Sequence, residues 1–378
     1  MTKAFPAAET RSKTPDNMLV GAIAAPHRVE LMSVPIPVPG PGEVLVRIMA
    51  TAICTYEQRT YSGAQSNTFP WLGGHEIAGE IAALGAGVPD GPAVGVRVAV
   101  GSASCGRCHW CLTGQDRACA RHYTYSQYGE AAGLAGFAQY KIHPADGVYE
   151  VGQAPVEIAA LAEPLNCAIH AARMLDVGVC EDAVVIGAGV MGLLNVVALK
   201  KRGARVIVSE MDEGRLATAG VMGADELINV ATEDPVARVK ELTEGRGASV
   251  VVAAVGSAKA NDQALAMLAE RGRFLIFAGA HPEPPLELRP NGMHNREQMV
   301  SGAVSGDKQD FYTASRLIRY GQVDLTPLVQ STYPLTRLAE ALDEAIKPGA
   351  YRVIVAPWPS DQGEAPGHED PTHLGDAS

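Results

Sequence analysis

Short apolar runs alternate with helix-like segments between residues 166 and 302, and this pattern predicts a parallel, doubly wound α/β sheet. The predicted strands are Ala183–Ile186, Arg205–Ser209, Glu226–Ile228, Ser249–Val255 and Arg273–Ala278, with helices such as Asp262–Glu270 between them. Ligands of such sheets bind at the carboxyl ends of the strands. A ligand is therefore expected beside Val255-Gly256 and Ala278-Gly279, although both glycines could equally serve turns.

The first part of the chain has short strands between Gly- and Pro-rich turns and no long helix. Leu19–Ile23, Val29–Val34 and Glu43–Ile48 are predicted strands. This pattern predicts a mostly antiparallel, barrel-like β domain. Towards the other end of the chain, two helices and a strand that returns to this first domain are predicted at Asp310–Tyr320, Leu335–Ile346 and Ala350–Val355.

The length of 378 residues favours two domains. Residues 18–165 and 303–357 are assigned to the barrel-like domain, and residues 166–302 to the doubly wound domain. Residues 1–17 are polar, which predicts a flexible extension. Residues 358–378 are rich in Pro, Gly, Asp and Glu, which predicts a disordered tail.

Composition and charge exclude several classes of protein. The 47% hydrophobic fraction and the 40 glycines suit a globular α/β protein with many tight turns. A net charge of −11 without a basic run argues against nucleic acid or an anionic membrane as the partner. No apolar run is long enough to span a membrane, and the first six residues lack the apolar core of a signal peptide. The expected compartment is the cytoplasm.

The most informative stretch is the strand at 183–186, which runs into Gly187, Gly189 and Gly192 and then into an amphipathic helix. Gly187 permits a sharp turn, Gly189 lets a pyrophosphate approach the backbone, and Gly192 lets the helix pack against the strand. The phosphates would bind at the helix N-terminus. A purely structural glycine turn is the alternative.

A second apolar run ends on Glu210, 18 residues after Gly192. An acid at this point accepts hydrogen bonds from the adenosine ribose and repels a 2′-phosphate, which favours NAD over NADP. The residues expected at the cofactor are Gly187, Gly189, Val190, Met191, Gly192, Glu210, Arg215, Val255, Gly256, Ala278 and Gly279.

Four of the 7 cysteines form a cluster with gaps of two, two and seven residues, namely Cys105, Cys108, Cys111 and Cys119. Four thiolates can close a tetrahedral site around one ion, and a site without a vacant position is structural rather than catalytic. An iron–sulfur cluster is the rival ligand. His109 lies between the cysteines and is expected to point outwards.

A second candidate metal site combines Cys54 with His75, which follows a Gly-Gly pair. A thiolate and an imidazole suit zinc, and a catalytic zinc needs a third ligand and an open position. Glu163 lies in an alanine-rich helical segment that Pro164 interrupts, which predicts two short helices meeting at Glu163. A buried Cys with a hydrogen-bonded core His, and a surface glutamate, are the alternatives.

Together these motifs resemble the zinc-containing medium-chain dehydrogenases/reductases, over roughly residues 18–357. The Glu-Pro-Leu segment at Glu163 is most similar to the polyol, butanediol and threonine dehydrogenase branches. The resemblance implies a GroES-like catalytic domain with a structural zinc lobe, a Rossmann NAD domain, and a homodimer or homotetramer. It also implies catalytic zinc on Cys54, His75 and either Glu76 or Glu163, with the two glutamates exchanging.

One departure from the family pattern concerns the proton relay. The family has a Ser or Thr two residues after the Cys and often a His five residues after it, where this chain has Tyr56 and Arg59. Three interpretations remain open: Tyr56 is a relay of altered geometry, Thr55 takes that role, or the relay is absent. Tyr56 could also only shape the substrate pocket. Glu57 replaces an aspartate, and a position near Arg352 or another cation is considered for it.

The function implied is hydride transfer between NAD and a secondary alcohol of a polyol, cyclitol or amino-alcohol, with zinc polarising the reacting oxygen. The altered relay leaves a zinc-bearing 1,4-reductase of conjugated C=C bonds as the second hypothesis. A non-catalytic dinucleotide-binding sensor is the third, which an open metal site disfavours.

Overall fold

A computed structural model describes residues 16–88, 91–122, 125–280 and 282–358. Its strands are β1 Asn17–Ala25, β2 Arg28–Pro35, β3 Glu43–Ala52, β4 Trp71–Leu72, β5 Glu76–Leu84, β6 Arg97–Val100, β7 Ser126–Tyr128, β8 Ala131–Gly133, β9 Tyr140–Pro144, β10 Val148–Glu150, β11 Asp182–Ile186, β12 Arg205–Glu210, β13 Glu226–Asn229, β14 Ala248–Ala253, β15 Leu268–Ile276, β16 Met299–Gly302, β17 Val329–Pro334 and β18 Arg352–Ala356.

Its α-helices are α1 Thr55–Ser62, α2 His109–Leu112, α3 Val156–Ala160, α4 Ala162–Met174, α5 Val190–Lys201, α6 Glu213–Val221, α7 Pro235–Leu242, α8 Ala258–Met267, α9 Pro290–Arg296, α10 Lys308–Arg319 and α11 Leu338–Ala345.

The doubly wound domain is confirmed. Its six strands lie in the order β13-β12-β11-β14-β15-β16, and every neighbouring pair is parallel. Helices connect the strands along the chain, as the crossover of a parallel pair requires. The Gly-rich turn follows β11, which lies in the middle of this sheet, and Glu210 ends the neighbouring strand β12.

The first domain contains two sheets of mostly antiparallel strands. One has the order β2-β1-β4-β8-β7, and the other has the order β10-β6-β5-β3-β18-β17, with β9 also pairing with β3. The predicted return of the last strand is confirmed, because β18 pairs antiparallel with β3. Strand β17, which the sequence pattern did not reveal, extends this sheet by pairing parallel with β18.

Helix α4 joins the two domains. It spans the assigned boundary at 165/166 without a break, and the largest apolar core extends from Ala52 in β3 through Leu165 to Leu193 in α5. The predicted pair of helices exists, but the junction lies at Leu161 rather than at Glu163. Pro164 is in the first turn of α4, where its missing N–H costs nothing.

Some predicted boundaries were wrong. The helix predicted at Asp262–Glu270 is α8, which begins at Ala258 because the Ser257 side chain accepts the N–H of Ala260. It ends at Met267, and β15 starts at Leu268 instead of at Arg273. The helix predicted from Leu335 begins as a 3-10 turn, so that α11 starts only at Leu338.

The two predicted terminal segments lie outside the described residues except at their inner ends. Asn17 already belongs to β1. Trp358, assigned to the disordered tail, is instead docked on the sheet: its Nε1 donates to the carbonyl of Ile48 at 2.6 Å, and the Arg47 guanidinium lies 4.3 Å from its ring. A tryptophan buries enough apolar area to extend the ordered chain beyond the last strand.

Candidate active site

Three separate parts of the chain deliver the candidate catalytic residues to one cleft. Cys54 directly precedes α1, His75 and Glu76 stand at the start of β5, and Glu163 lies in the first turn of α4. Their side chains line a cleft of about 1580 Å³. Glu163 is therefore not a surface-facing glutamate, and Cys54 and His75 are not sealed in the core.

The turn before His75 depends on Gly74. Its φ is +87°, and a Cβ there would lie 2.9 Å from the backbone of Gly136. A side chain at this position would be strained and would also clash, so only glycine allows the chain to bring His75 into the cleft.

The ligand atoms of these residues form two overlapping groups. Those of His75, Glu76 and Glu163 lie within 4.8 Å of one another, and so do those of Cys54, Glu57 and His75. Soft sulfur, imidazole nitrogen and carboxylate oxygen are the donors that zinc accepts. Glu76 Oε2 is buried and has no hydrogen-bond partner among the described residues, so it is free to bind an ion.

Glu57 is the residue of this site that the sequence did not assign. Its Oε1 lies 2.9 Å from His75 Nδ1 and accepts the N–H of Gly74 at 3.0 Å. A position beside Arg352 or another cation was considered for Glu57; the structure pairs Glu57 with His75, and Arg352 with Glu76. A carboxylate on one ring nitrogen orients the imidazole and leaves Nε2 for a metal, which is the usual outer-sphere arrangement of metal-binding histidines.

Arg352 holds Glu76 in place. Its NH2 donates to Glu76 Oε1 at 2.6 Å, and both side chains are buried. The same guanidinium contacts Met191 Sδ at 3.7 Å, which connects the metal-site glutamate to the helix after the Gly-rich turn. Arg352 and Glu76 are 276 residues apart in the sequence, so no local pattern could have predicted their contact.

The buried acidic groups of the site favour a bound cation. Burial raises the pKa of Glu76 to about 7, against the opposing charge of Arg352, with Glu163 raising it further. Burial also raises the pKa of Cys54 and of Glu163. Burial alone would raise the pKa of Glu57 too, but the facing His75 lowers it overall. Buried acids of this kind ionise readily beside a divalent cation, so the residues fit a bound zinc.

Tyr56 lines the cleft beside His75, and the centroids of the two rings are 6.5 Å apart. Its hydroxyl donates to Asn67 Oδ1 at 3.0 Å, and Asn67 Nδ2 donates to Thr60 Oγ1 at 2.7 Å. This chain of hydrogen bonds passes through an amide, which does not pass a proton on. Thr55 also lines the cleft.

The cysteine cluster has the geometry of a tetrahedral thiolate site. The four sulfur atoms lie within 4.8 Å of one another, with 3.9 Å between Cys105 and Cys111 and 3.5 Å between Cys108 and Cys111. Sulfurs at about 2.3 Å from one zinc would be roughly 3.8 Å apart. All four are free thiols, and backbone N–H groups of Arg107 and Cys108 lower the pKa of Cys105 to about 6. The set fits zinc.

His109 is exposed, as expected, and stacks edge-on against Trp110. The lobe that carries the cysteines is attached to α10 by two backbone hydrogen bonds. The N–H of Arg117 donates to Asp307 Oδ1 at 3.0 Å, and the N–H of Lys308 donates to Asp116 Oδ2 at 2.9 Å.

A buried polar cluster on the wall of the cleft was not predicted. Arg173 donates to Asp307 at 2.6 Å and to Asp310 at 2.7 Å, and His170 Nδ1 lies 2.8 Å from Asp310. It joins α4, which carries Glu163, to α10. His170 and Arg173 lie seven and ten residues after Glu163. This helical spacing was the one sequence signal that the three side chains share a face of α4.

The glycines of the Gly-rich turn have the predicted local geometry. Gly187 has a φ of +95°, and a Cβ on Gly192 would lie 1.9 Å from the carbonyl oxygen of Gly187. A Cβ on Gly189 would meet nothing within 4 Å, so that position is open to a ligand. Helix α5 begins directly afterwards, at Val190.

Glu210 is buried at the end of β12 and faces the Gly-rich turn. One of its oxygens accepts the N–H of Ala188 at 2.8 Å, and the other accepts those of Met211 and Asp212 at 2.7 and 3.1 Å. These three backbone donors fix the position of the carboxylate beside the turn. Arg215 is half-buried in the first turns of α6 nearby.

Four of the predicted cofactor residues line the same cleft as the candidate metal ligands: Met191, Gly256, Ala278 and Gly279. Gly187, Gly189, Val190, Gly192, Glu210, Arg215 and Val255 do not line it. A further contact crosses the cleft, because Arg59 in α1 donates to the carbonyl of Gly279 at 3.0 Å. The candidate metal site and the rim of the doubly wound sheet therefore face a common space.

Comparison with known proteins gives the family. Residues 40–153 match the alcohol dehydrogenase GroES-like domain, and residues 190–319 match the zinc-binding dehydrogenase domain. An L-threonine 3-dehydrogenase from Pyrococcus horikoshii is 33% identical over 81% of this chain and 88% of its own length. An erythritol/L-threitol dehydrogenase from Mycolicibacterium smegmatis is 30% identical over 88% of this chain and 95% of its own.

The structure of a thermostable alcohol dehydrogenase from Pyrobaculum aerophilum with cobalt and zinc bound is also similar. It has a TM-score of 0.76 and 26% identity, and the match covers 90% of this chain and 100% of that one. The chain belongs to the zinc-containing medium-chain dehydrogenases, oxidoreductases that act on CH–OH groups with a nicotinamide dinucleotide. Among the described residues, no helix is long and apolar enough to cross a membrane.

Proposed function

We propose that the protein transfers a hydride between NAD(H) and a secondary alcohol or its ketone, the alcohol being a polyol, cyclitol or amino-alcohol. The observation that carries this proposal is the convergence of Cys54, His75, Glu76 and Glu163 in a cleft whose rim includes Gly256 and Gly279. Metal ligands and the edge of a dinucleotide-binding sheet are the two parts that such a reaction requires.

Cys54, His75 and Glu163 would hold the catalytic zinc, with Glu76 exchanging with Glu163. A zinc ion held there would supply a Lewis acid for the carbinol oxygen, and a bound nicotinamide would supply the hydride acceptor. The chain's own residues prepare this step. Glu57 fixes the ring of His75, and Arg352 holds Glu76 close to the other ligands.

A second zinc, of structural function, would bind Cys105, Cys108, Cys111 and Cys119. That site offers four thiolates and no vacant position, so it would stabilise the lobe and take no part in the reaction. Its role is to hold the segment that includes Arg117 and lines the cleft.

NAD rather than NADP is proposed on the chemistry of Glu210. An ionised carboxylate beside the Gly-rich turn can accept hydrogen bonds from the two ribose hydroxyls, whereas a 2′-phosphate would meet a like charge. Arg215 lies close by in sequence and could attract a 2′-phosphate. It is a single cation, however, and its attraction would have to exceed the repulsion from the Glu210 carboxylate, which three N–H groups hold in place.

The test is formation of NADH, followed by its absorbance, with purified zinc-loaded protein and a panel of polyols, cyclitols, amino-alcohols and simple secondary alcohols. We expect turnover with NAD and at least tenfold lower kcat/KM with NADP. Turnover with NADP alone would refute the role of Glu210. No turnover with any alcohol would refute the proposed reaction.

One observation favours a second candidate, a 1,4-reductase of conjugated carbonyl compounds. The Tyr56 hydroxyl donates to an amide oxygen, which is a poor proton relay, whereas alcohol oxidation has to release a proton. The product separates the two functions. An enone reduced with NADH to a saturated ketone, in a protein that oxidises no alcohol, would establish the reductase.

A further inference from the structure

We infer that the cleft contains a subsite for an anionic group of the substrate, formed around Arg117, so that the substrate is a hydroxy compound with a carboxylate or phosphate at its far end. This inference rests on the proposed function, because it names the class of substrate for the same site.

The charges of the cleft are the first observation. Four arginines line it, and two of them are neutralised: Arg352 by Glu76, and Arg173 by Asp307 and Asp310. Arg59 and Arg117 have no carboxylate partner within the described ranges, although the whole chain has a net charge of −11. An unpaired cation in a cleft attracts an anion, and the attraction is stronger where water is partly excluded.

The two unpaired arginines belong to different ends of the cleft. Arg59 donates to the carbonyl of Gly279, on the rim where the cofactor is proposed to bind, so we assign its charge to the cofactor end of the cleft. Arg117 extends from the cysteine lobe and is half-buried. Its backbone N–H is bonded to Asp307, which fixes the start of the side chain while the guanidinium stays without a carboxylate.

A smaller pocket of about 250 Å³ adjoins the cleft at this end. Arg117, Tyr125 and Ser305 line both cavities. Arg117 supplies a guanidinium, which donates well to carboxylate or phosphate oxygens, and the Ser305 Oγ that lines the same pocket lies 3.1 Å from His122 Nε2. The volume is sufficient for such a group.

A row of aromatic rings connects the candidate metal site with the Arg117 end of the cleft. From His75 the contacts run to Tyr56, then to Trp71 and then to Tyr125, with centroids 6.5, 6.1 and 6.2 Å apart. Two rings, those of Tyr56 and Trp71, thus lie between His75 and Tyr125 along this row. We therefore expect a substrate that reaches from one to the other to be several carbon atoms long, as a sugar acid or a polyol phosphate is.

The charged residues that line the cleft argue against a substrate with an ammonium group. The carboxylates that line the cleft within the described ranges are Glu76, Glu163 and Asp307. Glu76 is paired with Arg352, and Asp307 is paired with Arg173. Glu163 lies in the candidate metal site. No carboxylate remains for an amino group, so the amino-alcohols of the proposed panel are disfavoured.

The experiment is a calorimetric titration of zinc-loaded protein with NADH bound, a state in which an alcohol cannot be oxidised. Sorbitol, gluconate and sorbitol 6-phosphate share a polyol chain and differ at one end. We expect one of the two anions to bind roughly 10- to 100-fold more tightly than sorbitol, as a charged hydrogen-bonded pair contributes. The better anion identifies carboxylate or phosphate.

Arg117→Ala should abolish this preference, and Arg117→Lys should keep part of it. Arg107→Ala is the matched control, since Arg107 is an exposed arginine of the same lobe that does not line the cleft. Sorbitol binding equal to that of both anions, an anion preference that survives in Arg117→Ala, or no binding of any of the three would overturn the inference.

Turnover with NAD is measured in parallel. Arg117-dependent anion binding without NADH formation from any alcohol would refute the proposed reaction and leave the subsite standing. NADH formation that is as efficient with sorbitol as with the anions would support the reaction and refute the subsite.

Discussion

Glu57 Oε1 lies 2.9 Å from His75 Nδ1, and this pairing decides which nitrogen of the imidazole can bind a metal. The same oxygen accepts the N–H of Gly74, so the carboxylate is fixed to the turn that carries the histidine. With Nδ1 occupied, Nε2 is the remaining ligand atom. The carboxylate also makes the ring a better donor, because it stabilises positive charge on it.

Glu57→Gln should weaken zinc binding by roughly 10- to 100-fold, as losses of this outer-sphere type do. The amide keeps the shape of the side chain but removes its charge. Zinc affinity is measured by competition with a chromogenic chelator. Glu80→Gln, which removes a carboxylate from a partly exposed ion pair on β5, is the control and should leave the affinity unchanged. Equal affinities of both variants would refute the role of Glu57.

Cys108→Ser should lower the thermal stability of the protein and remove one zinc per chain, while the surviving molecules still transfer hydride. The reason is that metal binding in a closed thiolate site contributes directly to folding. Calorimetric unfolding and metal analysis check this prediction. Cys180→Ser changes an exposed cysteine outside the cluster and should behave like the parent. A Cys108→Ser protein as stable as the parent would argue against a structural zinc.

Arg59→Ala should raise the KM for NAD by roughly tenfold, with a smaller change in kcat, because a charged hydrogen bond to the cofactor would be lost. High salt should reduce the difference between the parent and the variant. Arg28→Ala provides the comparison, since Arg28 is an exposed arginine paired with Glu30. If the two variants show the same KM, Arg59 does not contact the cofactor.

Asp310 gives the protein an acid-sensitive contribution to stability. Burial would raise its pKa, but Arg173 and His170 lower it to about 2. Because the folded-state pKa lies below that of the unfolded chain, the contribution is complete above about pH 4 and is lost as the pH falls towards 2. It amounts to roughly 2 kcal/mol.

Asp310→Asn should therefore be less stable at neutral pH and should lose less stability on acidification than the parent. Urea unfolding at a series of pH values measures both effects. Parallel curves for the two proteins would show that Asp310 has no depressed pKa.

The local features of the site could be predicted from the sequence. The Gly-rich turn after β11, the four-cysteine cluster and the separate elements that carry Cys54, His75 and Glu163 all depend on short-range spacing. A glycine pattern or a Cys spacing fixes backbone geometry within a few residues, so it is visible without the fold. The helix boundaries near Ser257 and Leu335 depend on caps and packing, and these were placed wrongly.

The partners that complete the site could not be predicted. Arg352 reaches Glu76 across 276 residues, and Arg59 reaches Gly279 across 220. Such pairs depend on the register of β18 against β3 and on how the two domains face each other. The Glu57–His75 pair spans only 18 residues, but it depends on the turn at Gly74 and on the direction of α1. Side-chain direction follows from the assembled elements.

The most direct test of the account compares the parent protein with Cys54→Ser for zinc content and for alcohol-dependent NADH formation in the same preparation. We predict that the variant stays folded, holds one zinc fewer per chain and forms no NADH. A folded Cys54→Ser protein that still oxidises the alcohol at the parent's rate would contradict it.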